Sequence, residues 1–359
     1  MPSEFDFSFG PFRSRVIIRE NLPETGEISG FSPSCLVVCD ECTRPAAEKI
    51  AGESGLLVLP PGERHKNWDS VKAILEKARE RGLGRDGLFV AVGGGVVCDL
   101  TAFSASVYMR GAKLALVPTT LLAMADAALG GKTGFDLGNI KNLIGTFYPA
   151  GEIFISLETL ETLPEREWKS GMAEIIKAAV LDSGSGAKPL ELFRDPGAVF
   201  TGKGPEKPFV ERLIAMAVKV KGSIVEADPR ETGGERALLN LGHSFGHALE
   251  TAAGLGKLSH GEAVAWGIAR SCELGLALGI TPPERAKTIG EILSAWGYMT
   301  SVPCSVPFDP VLFKKALLSD KKKKSGKLRF VVPNADRAEL VDHDTETENY
   351  LEKLMAVMT

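Results

Sequence analysis

Hydrophobic and polar positions follow one pattern over the first 160 residues and another over the rest of the chain. In the first stretch, short apolar runs alternate with amphipathic segments, a pattern typical of β-α-β units with a largely parallel sheet. One amphipathic segment, WDSVKAILEKARERG, places Val71, Ile74, Leu75 and Ala78 on one helix face, and Gly82 is a typical helix stop. The predicted strands are RSRVIIRE, SCLVVCD, GLLVLP, GLFVAVG, KLALVP and EIFIS.

From about Leu163 onward, apolar residues recur at helical spacing over long segments. The change of pattern falls near LETLETLPERE. We therefore predict an α/β N-terminal domain over residues 1–163 and a mostly α-helical C-terminal domain over residues 164–359. The predicted helices are EREWKSGMAEIIKAAVL, PFVERLIAMAVKVKGSIVEAD, ERALLNLGHSFGHALETAAG, HGEAVAWGIARSCELGLALG and PERAKTIGEILSAWG.

Composition excludes several classes of protein. The chain has 359 residues, 44% hydrophobic and 25% charged, which is typical of a globular protein and not of a disordered or fibrous one. A formal net charge of −4 provides no basic field for nucleic acid or an anionic membrane. The sequence contains no apolar run of the roughly 18 residues that a membrane span needs, and its first residues do not resemble a secretory signal. We expect a cytoplasmic protein without nucleic-acid or membrane partners.

The six cysteines are too few for a disulfide framework and indicate a reducing compartment. Cys35, Cys39 and Cys42 form the one cluster, with a spacing that suggests an iron–sulfur or redox site. However, CLVVCDE is typical of a buried strand, in which Cys35 and Cys39 would lie roughly 13 Å apart. We therefore expect reduced thiols at these positions.

A glycine cluster in GLFVAVGGGVVCD follows a predicted strand and precedes a predicted helix, where backbone amides can bind a pyrophosphate. Gly93 and Gly95 fit the dinucleotide fingerprint, but Cys98 stands at its third glycine, so a plain tight turn is an alternative. The later segment LGGKT resembles a phosphate loop. Asp126 occupies the position of that motif's first glycine, which argues against a nucleoside triphosphatase.

Three of the five histidines lie within 18 residues of one another in the predicted helical half. The spacing of His243 and His247 places both on one helix face, with Asn240 and Arg236 on roughly the same stripe. His260 stands at a predicted helix start, and Glu174 and Lys177 lie three residues apart on an apolar helix. Two imidazoles and a carboxylate suit a catalytic Zn²⁺ with an open position. The alternative is that each polar residue is a hydrogen-bonded core residue.

Several cations lie in or beside glycine-rich or apolar segments rather than on predicted solvated faces. Buried cations need anionic partners, which a phosphorylated and carboxylated substrate would provide. Structural ion pairs are the alternative, and the run KKKK over residues 321–324 is typical of a solvated loop, although one of its lysines could face a cleft. The six cations are Arg110, Lys132, Lys141, Lys177, Lys221 and Arg236.

Over nearly its whole length the chain resembles the 3-dehydroquinate synthases, a family of sugar phosphate cyclases. The resemblance implies a Rossmann-like N-terminal domain, a helical C-terminal domain and a homodimer. The sequence departs from the family's pattern at three places. Cys98 replaces a common glycine, GFDLGNI differs from the usual wording after GGKT, and GGER stands where a shorter GLR-type segment is usual. The blocks that carry the resemblance are GGGVVCDLTAFSASVYMRG, PTTLLAMADAALGGKTG, KNLIGTFY, LPEREWKSGMAEIIK, ALLNLGHSFGHALE and HGEAVA.

The resemblance implies a catalytic metal and a tightly bound NAD⁺ that is regenerated in each turnover. The metal, Zn²⁺ or alternatively Co²⁺, would be held by Glu174, His243 and His260. The implied NAD contacts are Asp40, Glu63 and Lys66 at the adenosine ribose, Gly94, Gly95 and Asp99 at the pyrophosphate, and Thr119 and Thr120 nearby.

The implied reaction is that of a carbon–oxygen lyase of the shikimate pathway, which converts 3-deoxy-D-arabino-heptulosonate 7-phosphate to 3-dehydroquinate and phosphate. Lys132 and Asn142 would act as electrostatic holders and His247 as a proton relay, and catalytic roles are also expected for Arg236 and Lys177. One lysine of the DKK segment, Lys321 or Lys322, would face the substrate. Arg110 would reach the phosphate, either in its own site or in that of a neighbouring subunit. The other implied substrate contacts are Asp126, Lys132, Asn142, Lys177, Lys221, Arg236, Asn240 and His247.

Three alternative functions have distinct signatures. Other sugar phosphate cyclases, such as a 2-epi-5-epi-valiolone synthase, use the same machinery but tend to differ at the substrate-carboxylate contacts. These contacts are retained here in Arg236, Asn240, Asn142 and a lysine of the DKK segment. A metal-dependent polyol dehydrogenase would release NADH and does not need so many phosphate-facing cations. A catalytically silent scaffold would not bind metal, whereas the ligand set described above is intact.

Overall fold

The chain forms two compact units in a computed structural model that describes residues 3–32, 34–52, 55–138, 140–182, 189–198, 200–201, 204–254, 256–301, 309–319, 328–342 and 344–358. The first unit combines Met1–Trp168 with Lys207–Arg230, and the second combines Lys169–Glu206 with Glu231–Thr359. The first is α/β and the second mostly helical, so the predicted fold class is confirmed. The domain boundary at residue 163 stays a prediction.

A seven-stranded sheet forms the centre of the first unit, with strand order β1-β2-β9-β6-β5-β3-β4. From β2 to β4 its neighbours are parallel, as the alternating pattern predicts, while β1 pairs antiparallel with β2. The strands are β1 (Ser3–Phe9), β2 (Phe12–Arg19), β3 (Leu36–Asp40), β4 (Gly55–Leu59), β5 (Leu88–Gly93), β6 (Lys113–Pro118) and β9 (Glu152–Ser156).

Helices and a hairpin surround this sheet. Apolar side chains of β3, β5 and β6 form a buried core with Ala47 and Ile50 of the first helix. The helix predicted from WDSVKAILEKARERG is confirmed, and Gly82 after it has a φ of +67°. Further elements of the unit are α1 (Arg44–Ala51), α2 (Trp68–Glu80), α3 (Gly95–Val107), α5 (Lys207–Ala227) and the antiparallel pair β7 (Lys132–Leu137) and β8 (Ile140–Phe147).

The second unit is built on helices with one longer hairpin. Its core packs Phe245, Trp266, Phe313 and Phe330 together. Its elements are α4 (Glu165–Leu181, which begins in the first unit), α6 (His243–Ala253), α7 (His260–Ala277), α8 (Pro283–Ala295), α9 (Pro310–Ser319), α10 (Thr345–Met358), the short pair β10 (Phe200–Thr201) and β11 (Gly204–Pro205), and the hairpin β12 (Arg329–Pro333) and β13 (Ala338–Asp342).

The prediction of one helix over ERALLNLGHSFGHALETAAG is wrong. A 3-10 helix spans Arg236–Asn240, the chain turns at Gly242, and α6 begins at His243. Gly242 has a φ of +79°, a left-handed conformation that glycine adopts without the steric cost of a side chain. Arg236 and Asn240 therefore do not share a helical stripe with the two histidines.

Within the described residues, no helix is both long enough and apolar enough to cross a membrane.

Candidate functional site

The glycine cluster lies where the winding of the sheet reverses. From β3 the chain moves outward to β4 and then returns to β5 on the other side of β3. Gly93 ends β5 and Asp40 ends β3, so both stand at the carboxyl ends of the strands that flank this switch point. In open α/β sheets, ligands bind in the crevice at this place.

The start of α3 suits an anion. Gly94 is its N-cap and no side chain of the described residues caps it, so the first backbone N–H groups lack intrahelical partners and can receive a pyrophosphate. A Cβ on Gly94 would lie 3.1 Å from Cγ2 of Thr120. The Thr119 N–H donates to Gly93 O at 3.0 Å. Four predicted cofactor contacts, Gly94, Gly95, Thr119 and Thr120, are thus adjacent.

A buried ion pair lies beside this helix start. Lys66 Nζ is 2.6 Å from Asp99 Oδ2 and donates to Asn142 Oδ1 at 2.6 Å. Burial lowers the pKa of Lys66, but the carboxylates of Asp99 and Glu63 outweigh it and raise that pKa above its ordinary value. One polar cluster therefore joins Lys66, Asp99 and Asn142, which were predicted to contact the ribose, the pyrophosphate and the substrate respectively.

Local backbone structure positions each member of this cluster. Asn142 has a φ of +51°, and its N–H donates to Asp136 Oδ1 at 2.7 Å. The Asp136 N–H in turn donates to Lys66 O at 2.8 Å, which ties the β7–β8 hairpin to the Lys66 segment. Asp99 and Lys132 line a small pocket together with Cys98, the residue at the position of the third glycine of the dinucleotide fingerprint.

Asp40 and Glu63 occupy the ends of other elements in the first unit. Oδ1 of Asp40 accepts from the Thr43 N–H at 2.9 Å, so its orientation at the end of β3 is fixed. Glu63 opens a 3-10 helix, Glu63–His65, that leads directly into Lys66. Sequence reasoning missed Thr43, although an Asp followed three residues later by Thr is a common turn signal.

The six cations divide by burial. Lys221 on α5 is 2.9 Å from Asp126 Oδ1 and also donates to Asp126 O at 2.6 Å, which joins two predicted substrate contacts. Lys177 and Arg236 of the second unit are buried as well. Exposed positions are taken by Arg110, Lys132 and Lys141.

The metal ligands proposed from the sequence converge in the second unit. Oε1 of Glu174 is 2.9 Å from His260 Nε2 and 3.6 Å from His243 Nε2. Oε2 of the same carboxylate is 2.5 Å from Lys177 Nζ. Glu174 is 2% exposed, so its charge must be balanced by these neighbours rather than by water.

Hydrogen bonding, burial and neighbouring charges set the protonation of the side chains in this cluster. His243 Nδ1 is 3.2 Å from Leu241 O, which can only accept, so the ring presents unprotonated Nε2 toward Glu174. Burial and the Lys177 charge lower the pKa of His243 to about 3. Burial lowers the pKa of His260, but the hydrogen bond to Glu174 outweighs it and raises that pKa. Burial also opposes ionisation of Glu174, yet Lys177 and His243 hold its pKa well below the usual range.

Glycines bring the three helices of the cluster close together. A Cβ on Gly267 of α7 would lie 1.9 Å from Gly242 O, and one on Gly246 of α6 would lie 2.8 Å from Ala263 O. At the start of α7, a Cβ on Gly261 would lie 2.4 Å from Cα of Ser170 on α4. Only glycine permits backbone contacts this close, and the positions of His243, His260 and Glu174 depend on them.

Other predicted residues of the second unit lie around this cluster. The His247 ring centroid is 5.3 Å from that of His243 and 6.2 Å from that of His260. Asn240 Nδ2 donates to Glu231 Oε1 at 3.4 Å. His247, Glu250 and His260 form a second group of possible ligands, and the position of Glu250 three residues after His247 could have indicated it. Lys321 and Lys322 lie outside the described residues.

The donor set fits a divalent transition metal. One ligand atom from each of Glu174, His243 and His260 lies within 4.8 Å of the others. Two imidazole nitrogens and one carboxylate oxygen form a three-ligand set typical of catalytic zinc, with a coordination position left for a substrate oxygen.

Comparison with known proteins decides the family. Residues 56–170 match the family described as 3-dehydroquinate synthase N-terminal, and residues 171–323 match its C-terminal counterpart. A 3-dehydroquinate synthase of Legionella pneumophila is 40% identical over 358 residues, which cover 97% of this chain and 95% of the relative. One of Pelobacter propionicus is 38% identical over 309 residues, 86% and 83% of the two chains. The chain belongs to the 3-dehydroquinate synthase family.

Solved structures of sugar phosphate cyclases share this family's fold. The 2-epi-5-epi-valiolone synthase of Streptomyces hygroscopicus, solved with NAD⁺ and Zn²⁺, is 27% identical, with a TM-score of 0.82 over 95% of this chain and 96% of that one. A 2-deoxy-scyllo-inosose synthase with carbaglucose-6-phosphate, NAD⁺ and Co²⁺ gives a TM-score of 0.84 over 98% and 99%. At 21% identity, the second likeness shows the fold alone.

Proposed function

We propose that this chain converts 3-deoxy-D-arabino-heptulosonate 7-phosphate to 3-dehydroquinate and phosphate. The reaction comprises oxidation of the C5 alcohol, elimination of phosphate, reduction of the C5 ketone and closure of the ring by an intramolecular aldol step. The observation that carries the proposal is the convergence of His243 and His260 on the buried carboxylate of Glu174, in a member of this family.

The residues that would hold the metal are Glu174, His243 and His260. When bound, Zn²⁺ or Co²⁺ would supply Lewis acidity to a hydroxyl of the substrate. Lys177 contributes a fixed positive charge next to Glu174, at 2.5 Å, and its ammonium group can donate to a substrate oxygen. Because Lys177 is 3% exposed, its charge acts with little screening by water.

NAD⁺ would be held by the first turn of α3 after Gly94 and by the polar groups around it. When bound, it would supply the hydride acceptor for the C5 alcohol and the hydride donor for the later reduction. The α3 N–H groups would bind the pyrophosphate, and the Asp40 carboxylate at the end of β3 would accept from a ribose hydroxyl. Lys66 would orient this region through its bonds to Asp99 and Asn142.

Cations and amides would bind the substrate's phosphate and carboxylate. In the first unit, Lys132, Arg110 and Asn142 are exposed and can reach a ligand, and Asn142 is held by Lys66. In the second unit, Arg236 would bind the carboxylate together with Asn240.

The C5 ketone acidifies the C6 proton, which an oxygen of the departing phosphate accepts as the C–O bond breaks.

His247 would accept the proton of the C5 hydroxyl as oxidation begins. We expect His247→Ala to lower the rate of the first hydride transfer by about 10²–10⁴-fold, the usual contribution of a positioned acid–base group, while zinc content stays at the wild-type level. Transient NADH absorbance after mixing with substrate measures the rate. His243→Ala serves as the comparison because it removes a ligand atom. Equal losses of zinc and rate in His247→Ala would contradict this division of roles.

Release of phosphate with identification of the product tests the reaction. The purified protein receives the heptulosonate phosphate with NAD⁺ and Zn²⁺, before and after treatment with a chelator. We expect one phosphate per dehydroquinate, no net NADH, loss of activity on chelation and recovery with Zn²⁺. No release by metal-loaded protein would refute the proposed substrate, and NADH that accumulates with simple polyols would indicate a dehydrogenase.

The enzyme would act as a cytoplasmic homodimer. The hairpin β7–β8 exposes Leu137, Ile140, Leu143 and Phe147, each more than 40% accessible, and such an apolar surface favours association. Sedimentation equilibrium should give twice the chain mass of 38.3 kDa. A monomer at micromolar concentration would contradict the dimer.

A further inference from the structure

The turn between β12 and β13 carries an arginine at a fixed place. Oδ1 of Asn334 accepts from the N–H groups of Asp336 and Arg337, at 3.2 and 2.8 Å. The two strands pair in register up to Pro333 and Ala338 on either side of this turn. These bonds fix the backbone of Arg337 independently of the contacts of its side chain.

The Arg337 side chain joins two elements of the site. Its Nε donates to Leu181 O at 3.1 Å, at the last residue of α4, the helix that carries Glu174 and Lys177. Its Nη1 is 2.5 Å from Glu235 Oε1. Guanidinium bonds to a carboxylate are among the stronger and more directional contacts of a folded chain.

Glu235 lies in the GGER segment, where this chain departs from the usual family pattern, and directly precedes Arg236. The backbone on its N-terminal side is irregular, because Glu231 and Gly234 have φ values of +56° and +94°. From Arg236 onward the chain forms the short 3-10 helix that carries Arg236 and Asn240. No helix or strand lies within Glu231–Glu235 to hold the start of this 3-10 helix in place. The side chain of Glu235 holds it instead.

We propose that Arg337 is a positioning residue for Arg236. Through Glu235 it fixes the 3-10 helix that presents Arg236 to the carboxylate of the substrate, and through Leu181 it ties that helix to α4. This inference rests on the proposed function, because it takes Arg236 as a substrate contact. It predicts that losing the Arg337–Glu235 pair weakens substrate binding without removing metal or altering the chemical steps.

The chain offers a matched control in Arg285. Its guanidinium donates to Val180 O at 2.9 Å, to Ala335 O at 3.1 Å and, more weakly, to Arg337 O at 3.5 Å, so it connects the same end of α4 to the same turn. Those bonds go to backbone carbonyls rather than to the segment before Arg236. Arg285→Gln therefore reports the cost of loosening the helix end and the turn alone.

Steady-state kinetics of the zinc-loaded enzyme test the proposal, with wild type, Arg337→Gln, Glu235→Gln, the double variant and Arg285→Gln measured together. Weaker ground-state and transition-state binding raises KM and leaves kcat unchanged. We expect Arg337→Gln and Glu235→Gln each to raise KM for the heptulosonate phosphate about tenfold, with kcat within about twofold, and the double variant to match the singles. Arg285→Gln should keep the wild-type KM, and zinc content should be the same throughout.

Several results would overturn the inference. An unchanged KM in Arg337→Gln, an equal rise in Arg285→Gln, or additive effects in the double variant would show that the pair does not position Arg236. If Arg337→Gln does not fold, Glu235→Gln carries the same test alone. Turnover by wild type with no KM effect in the variants defeats this inference only, whereas no turnover by wild type defeats the proposed function as well.

Discussion

Glu174→Gln is expected to abolish turnover and to release the metal. The substitution keeps the size of the side chain but removes the charge that faces His243, His260 and Lys177. Loss of one of the three proposed ligands should lower zinc affinity by at least 100-fold, and activity should fall below about one-thousandth of wild type. It also leaves the buried ammonium of Lys177 without its carboxylate, which costs about 3–5 kcal/mol of folding stability.

Zinc content by atomic absorption and unfolding in urea measure these two effects. Glu262→Gln is the matched control, since it replaces a carboxylate two residues from His260 that caps α7 through Ser259 rather than facing the cluster. Because glutamine can also accept from the Ser259 N–H, this variant should lose less than about 1 kcal/mol of stability and keep a full complement of zinc. Glu174→Gln with one tightly held zinc per chain would remove Glu174 from the ligand set.

Gly267→Ala should produce the second largest effect, through packing rather than charge. The new methyl group would lie 1.9 Å from Gly242 O, a backbone atom that cannot rotate away, so the start of α6 must move. Overpacking of this kind costs about 3 kcal/mol, which the better helix propensity of alanine offsets by about 1 kcal/mol. Because His243 is the first residue of α6, zinc affinity should fall about tenfold or more.

Gly290→Ala provides the comparison on another helix of the same unit. No heavy atom lies within 4 Å of a Cβ built there, so only the gain in helix propensity applies, and stability should stay level or rise slightly. Chemical denaturation and zinc titration of both variants are the measurements. A wild-type zinc affinity in Gly267→Ala would show that the glycine contact does not set the position of His243.

Patterns that depend on neighbouring residues were predictable from the sequence. The parallel strands from RSRVIIRE to EIFIS and the helix over WDSVKAILEKARERG are confirmed, because their burial follows a period of two or of 3.6. The family resemblance is confirmed as well. That His243, His260 and Glu174 lie together was predicted from their residue types and from that resemblance. The roles of the individual site residues stay predictions.

Features set by tertiary contacts were not predictable in the same way. The break at Gly242 lies inside a helical pattern and shows only where α7 approaches closely enough to exclude a side chain. The hairpin β7–β8 buries Phe135 but exposes Leu137, Ile140, Leu143 and Phe147, so alternation does not mark it as two strands. The pairs Lys66–Asp99 and Lys221–Asp126 join residues 33 and 95 positions apart, a separation that local periodicity does not encode.

The position of α5 late in the sequence affects how the first unit folds during synthesis. This helix belongs to the first unit although it follows residues of the second, and its Gly222 receives the ring of Phe7 so closely that a Cβ there would lie 2.1 Å from Cε1. A ribosome that adds about 5–20 residues per second therefore finishes the sheet several seconds before the helix that covers β1 emerges. Until then Phe7 lacks the surface it packs on and Asp126 lacks Lys221, so this part of the nascent sheet stays exposed.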